Sequence, residues 1–107
     1  MAKFYVMGNY TAQAFQGFLK DPNSDRSKAA QAAAGAVGAK FISYDALRGS
    51  FDFIAVVEGS FEQCAGVKIA TEASGALKNI NIFEAIKLSG PATEAVKIAA
   101  KYKAPGQ

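Results

Sequence analysis

Lys40-Phe41-Ile42-Ser43-Tyr44-Asp45-Ala46-Leu47-Arg48-Gly49-Ser50-Phe51-Asp52-Phe53-Ile54-Ala55-Val56-Val57 is the stretch that decides the fold. Residues 40–47 and 51–57 read as two strands, rich in aromatic and β-branched side chains. Arg48-Gly49-Ser50 between them reads as a tight hairpin connection. Asp52 then stands at the first turn of the second strand, where a charge must be solvated, paired or used.

Elements on either side of the hairpin complete the pattern. Residues 3–10 alternate, Phe4, Val6 and Gly8 against Tyr5, Met7 and Asn9, which predicts a first strand. Thr11 is placed to cap a short helix carrying Phe15, Phe18 and Leu19, and Pro22 disfavours helical geometry at Asp21. Asn23, Ser24 and Asp25 offer a fresh cap. The alanine-rich helix that follows puts Arg26, Ala29, Ala30, Ala33, Ala36 and Val37 on one face, and small side chains there imply close approach to a sheet or another helix. Gly38 stops it. After the hairpin, Ser60 with Gln63 three residues on forms a capping box, opening a helix with Cys64, Val67 and Ala70 on one face that ends near Gly75. Residues 77–86 read as a fourth strand, Ile80, Ile82 and Ile86 on one side and Asn79, Asn81 and Phe83 on the other. Pro91 sits at the start of a last helix, whose apolar stripe is Ala92, Ala95, Val96, Ala99 and Tyr102.

The order β-α-β-β-α-β plus a terminal helix is the ferredoxin-like pattern: α+β, one antiparallel sheet, one domain over 1–107. Helices cover only one face of such a sheet. The other face is apolar in either parity, carrying Tyr5, Met7, Phe53, Ala55 and Val57 or the alternate set. An exposed apolar face of several hundred Å² marks an interaction surface. Two such sheets packed face to face would form a dimeric α/β barrel, so a homo-oligomer through the sheet face is expected.

The chain has 107 residues, a net charge of +3, one cysteine and no histidine. Without histidine or a second cysteine, His-dependent triads and a single-chain zinc site are excluded, and no cofactor is implied. A lone cysteine points to a reducing compartment. No apolar run approaches the ~18 residues of a membrane span, and the N-terminus lacks the pattern of a signal peptide. A cytoplasmic protein without a membrane role is expected.

Several motifs weigh against themselves. Arg48-Gly49-Ser50-Phe51-Asp52-Phe53-Ile54 partly imitates an RNA-recognition strand, with Phe51 and Phe53 as stacking aromatics. The match needs an inserted residue, and Asp52 puts negative charge where phosphate would approach, which argues against nucleic acid. Gly35-Ala36-Val37-Gly38-Ala39-Lys40 closes a helix and opens a strand, the reverse of a phosphate loop. Cys64, among alanines on an apolar helix face, reads as packing, with Lys68 the only local cation to activate it. The late lysines 97, 101 and 103 complement a helix C-terminus.

The chain resembles the GYD family, small proteins named for a Gly-x-Tyr-Asp signature in this hairpin. The resemblance runs through Met1-Ala2-Lys3-Phe4, Gly8-Asn9-Tyr10-Thr11-Ala12, Gly17-Phe18-Leu19-Lys20, Gly38-Ala39-Lys40, Gly49-Ser50-Phe51-Asp52 and Ser74-Gly75-Ala76. Phe51 replaces the signature tyrosine and removes its hydroxyl. The resemblance implies a ferredoxin-like, dimeric α/β barrel fold and no assigned activity.

Three functions remain open at this point. The first is an oligomeric module binding a small molecule or a protein, with Tyr5, Asn9, Tyr44, Phe53, Asn79 and Asn81 lining an apolar cavity. The second is a cofactor-independent enzyme with Asp52 as base and Tyr44 or Arg48 steadying negative charge. The third is a structural oligomer. Asp52 could equally cap the hairpin through backbone N–H groups, or pair with Arg48 or a lysine.

Overall fold

A computed structural model describes residues 2–106; Met1, the first residue of the family resemblance, lies outside them. The elements run β1 (Ala2–Tyr10), α1 (Ala12–Lys20), α2 (Arg26–Ala36), β2 (Lys40–Ala46), β3 (Phe53–Gly59), α3 (Phe61–Ala73), β4 (Leu77–Glu84) and α4 (Ser89–Ala99). The four strands form one antiparallel sheet in the order β2-β3-β1-β4, the ferredoxin-like arrangement.

Local chemistry accounts for the boundaries. Thr11, Asp25 and Ser60 each accept a backbone N–H at a helix N-terminus, and Ser60 and Gln63 close the capping box from both sides. Gly38 follows α2 at a φ of 79°, where a side chain would be strained. The hairpin is longer than expected. β2 ends at Ala46 and β3 begins at Phe53, so 47–52 is an open loop closed by Leu47 N–H donating to the Asp52 carbonyl. Asp52 therefore belongs to the loop and not to the strand. Its own N–H donates to the Gly8 carbonyl of β1, which fixes the loop over the end of the sheet.

Register decides the faces. Phe4 lies opposite Val57, Val6 opposite Ala55 and Gly8 opposite Phe53. These residues face the helices, where Phe4 and Val57 pack with Ala34 and Cys64, and Tyr10 and Phe53 with Ile80. Tyr5 lies opposite Val56 and Met7 opposite Ile54, so the open face carries Tyr5, Met7, Ile54 and Val56, with Phe83 beside Tyr5. The set that joined Tyr5 and Met7 to Phe53, Ala55 and Val57 mixes the two faces. Alternation within one strand cannot reveal which parity of the next strand it meets.

Two helices depart from expectation. α2 does not seat its alanine face closely on the sheet: only Ala34 is buried, Ala36 is exposed, and a cavity remains beneath Ala30 and Ala33. α4 begins at Ser89, with Pro91 inside its first turn, and every one of its residues is exposed. β4 stops at Glu84, leaving Ile86 beyond the strand and exposed. Among the described residues no helix is long and apolar enough to cross a membrane.

Candidate functional site

Tyr10 ends β1 on the helix side, and Thr11 immediately turns the chain. The Thr11 hydroxyl donates to the Gly75 carbonyl at 2.5 Å while its N–H donates to the Ala76 carbonyl at 3.1 Å. That anchorage sets α1 so that Phe15 and Phe18 meet the Tyr10 ring edge-on, at centroid distances of 6.1 and 4.9 Å. Phe53 lies 5.5 Å from Tyr10 and stacks on Tyr44 at 5.7 Å. Such geometries suit the aromatic quadrupole. Gly8 makes the room: a Cβ there would come within 3.1 Å of the Phe53 ring and 3.0 Å of Ile80.

Both tyrosines point their hydroxyls to the same place, where they hydrogen-bond to each other. Burial raises the Tyr10 phenol above its ordinary 10.0; the nearby Arg26 cation works against that shift and Asp52 adds to it. Tyr10 is thus a neutral hydroxyl throughout the physiological range.

Next to this pair lies a cavity of about 130 Å³ between the sheet and helices α2 and α3. Its walls are Ala29, Ala30 and Ala33 from α2, Val67 from α3, and Ala55 and Val57 from β3, among others. Ala30 and Ala33 are only half-buried, so the space reaches solvent at the α2 side. Most polar side chains around it are already engaged. Gln63 bonds the Val37 carbonyl and the Ser60 N–H, Thr71 donates to the Val67 carbonyl, and Lys68 pairs with Glu72 at 2.9 Å. Arg26 is the exception, with no ion pair or side-chain hydrogen bond among the described residues. Cys64 lines the cavity too, and burial pushes its thiol pKa up, so it packs as a small apolar group.

Asp52 does not line this cavity. Its Oδ2 accepts the Tyr10 N–H at 2.9 Å and the Asn9 amide at 3.2 Å. The same amide donates to the Ser50 carbonyl at 3.0 Å, and Asn9 Oδ1 accepts from Asn79 Nδ2 at 3.0 Å. Asn79 holds a φ of 55°, a left-handed conformation asparagine tolerates, where the β1–β4 register shifts. Asn81 donates to the Asn79 carbonyl at 2.9 Å. This is a stitching network: it ties the 47–52 loop and β4 to the end of β1.

The residues singled out from sequence therefore separate. Tyr44 and Phe53 border the cavity on the helix side. Tyr5 stands on the open face with the Lys3 ammonium 5.3 Å from its ring centre. Asn9, Asn79 and Asn81 join Asp52 in the stitching network, and Arg48 is exposed in the loop, forming no ion pair with Asp52 among the described residues. Phe53 is 4% exposed against Tyr44, so it offers no platform for a base. Sequence reasoning missed Tyr10 and passed over Arg26 as a binding group. Tyr10 shares the parity of Phe4, Val6 and Gly8, and a hydroxyl on that core-facing row was the available signal.

The GYD domain model matches residues 4–90, which spans every element named except most of α4. No curated protein and no solved structure matches the chain.

Proposed function

The chain belongs to the GYD domain family, and on that premise we propose that it is a homo-oligomeric module that binds a small, single-ring compound in the cavity between α2, α3 and the sheet. The cavity carries the reading. Its volume of about 130 Å³ is close to the ~150 Å³ that admits benzene in an engineered protein cavity. Its alanine, valine and aromatic walls favour an apolar body, while the Tyr10–Tyr44 hydroxyls and the uncommitted Arg26 favour a carbonyl or carboxylate on that body. A lone thiol, Cys64, is consistent with work in the cytoplasm.

The test is ligand-observed NMR against single-ring carboxylates and ketones, such as benzoate and acetophenone, with the wild type and Ala33→Phe. Binding to the wild type and its loss in a folded Ala33→Phe protein is expected, because the added ring fills the space. Binding that survives in that variant, or no binding to the wild type, overturns the proposal.

The homo-oligomer rests on the sheet face turned away from the helices, where half-buried Tyr5, Met7 and Ile54 and exposed Phe83 form an apolar centre flanked by Ser43, Asp45 and Asn81. Light scattering at tens of micromolar should give twice the 11.2 kDa chain mass, and Ile54→Lys should return it to the monomer value.

A further inference from the structure

Helix α4 buries none of its residues against the rest of the described chain. All its residues are exposed, Leu88 at 77% and Val96 at 75%, and Ile98 and Tyr102 are also largely exposed. It lacks a side-chain N-cap. An isolated helix of 11 residues is marginal in water, since helices of this length draw their stability from burying an apolar face. Yet α4 has such a face. Leu88, Ala92, Ala95, Ala99 and Tyr102 fall on one side by helical spacing, flanked by Val96 and Ile98, while Thr93, Glu94, Lys97 and Lys101 fall opposite.

The arrangement extends the molecule to 60 × 33 × 22 Å with a radius of gyration of 18.1 Å, against roughly 13 Å for a compact chain of this length. The same chain thus presents an exposed amphipathic helix and a sheet face turned away from the helices that is apolar at its two central strands. Two sheets meeting alone would not make a large interface. Four strands of about seven residues present a flat footprint of roughly 450 Å², about 900 Å² for the pair before side-chain relief is counted, which places sheet pairing alone toward the low end of the 1,200–2,000 Å² of stable interfaces. Two exchanged helices enlarge that area, and a two-fold exchange closes on itself. The receiving rim is also apolar and open, with Phe83 on edge strand β4 and Ile42 at the β2 bulge both exposed.

Building on the homo-oligomer proposed above, we infer that α4 is an exchanged arm, its apolar stripe docked on the rim of the open sheet face of a second copy of this chain. The partner is a second copy because the complementary surfaces occur once each in one chain, and reciprocal use leaves neither exposed.

A photo-crosslinking benzophenone side chain at Val96 in the full-length protein tests this directly. Val96 is 75% exposed, so a larger side chain there has room in solvent. Irradiation at 5 µM should give a covalent species at twice 11.2 kDa; crosslinks confined to the single chain overturn the inference. In parallel, Leu88→Ser with Tyr102→Ser should weaken dimerisation at least tenfold by sedimentation. A dimer that tightens or holds within twofold in that variant, yet dissociates with Ile54→Lys, removes the arm and leaves the sheet pairing standing. A monomeric wild type removes both.

Discussion

Replacing Asp52 with alanine takes one carboxylate oxygen away from two donors, the Tyr10 N–H and the Asn9 amide. The Tyr10 N–H would be left unpaired at the end of β1, which costs about 1–3 kcal/mol. Asp52→Asn keeps an acceptor for that N–H and should cost less, about 1 kcal/mol or below. Urea denaturation of the two variants checks the order: equal losses would mean that charge, and not acceptance of the backbone bond, is what matters. Both variants should keep ligand binding, because Asp52 is absent from the cavity walls. The signature aspartate was easy to notice in the sequence, and its role was not. Its two donors lie 42 and 43 positions away, a separation at which neither turn chemistry nor strand alternation carries information. Tyr10 was hidden for the same reason, since its partner Tyr44 is brought to it only by the assembled sheet.

β4 is an edge strand, and one ion pair on α3 attends to it. Glu72 Oε2 accepts the Ile80 N–H at 3.0 Å, and the Lys68 ammonium, 2.9 Å from Glu72, donates to the Ile80 carbonyl at 2.9 Å. Both backbone groups of one edge residue are thereby satisfied by side chains four apart on a helix. The Lys68 ammonium, and after it the Ile80 N–H, hold the Glu72 carboxyl below its ordinary 4.5. A folded-state pKa below the unfolded value stabilises above the unfolded pKa, and the contribution is lost as pH falls through the folded value. Glu72→Gln should therefore lower the urea midpoint at pH 7, and the gap to the wild type should shrink at pH 3. A gap of equal size at both pH values would show that the charge contributes nothing. At this scale the sequence was informative, because caps and helix stops are local: Thr11, Asp25, Ser60–Gln63 and Gly38 all act where their spacing predicts. The loop 47–52 was not legible, since the bond that anchors it runs to the Gly8 carbonyl of another strand.

The whole molecule is where sequence and structure part furthest, because an amphipathic stripe says that a helix has a partner without saying where. α4 shows a stripe like that of any surface helix, yet in the folded chain it lies outside the core with every residue exposed. If a second copy covers these surfaces, association adds to the stability of the fold, and thermal stability must depend on protein concentration. For a dimer unfolding directly to two chains, a hundredfold rise in concentration adds about 2.7 kcal/mol. Spread over the unfolding entropy of two chains of this length, that raises Tm by about 6 °C. Calorimetry at 1 and 100 µM should show that shift in the wild type. Ile54→Lys, which places a charge in the centre of the open face, should melt lower and at one temperature regardless of concentration. A wild-type Tm that does not move over this range would mean that the domain folds alone, and that the apolar face contributes to its stability only through the neighbours it already has in the sheet.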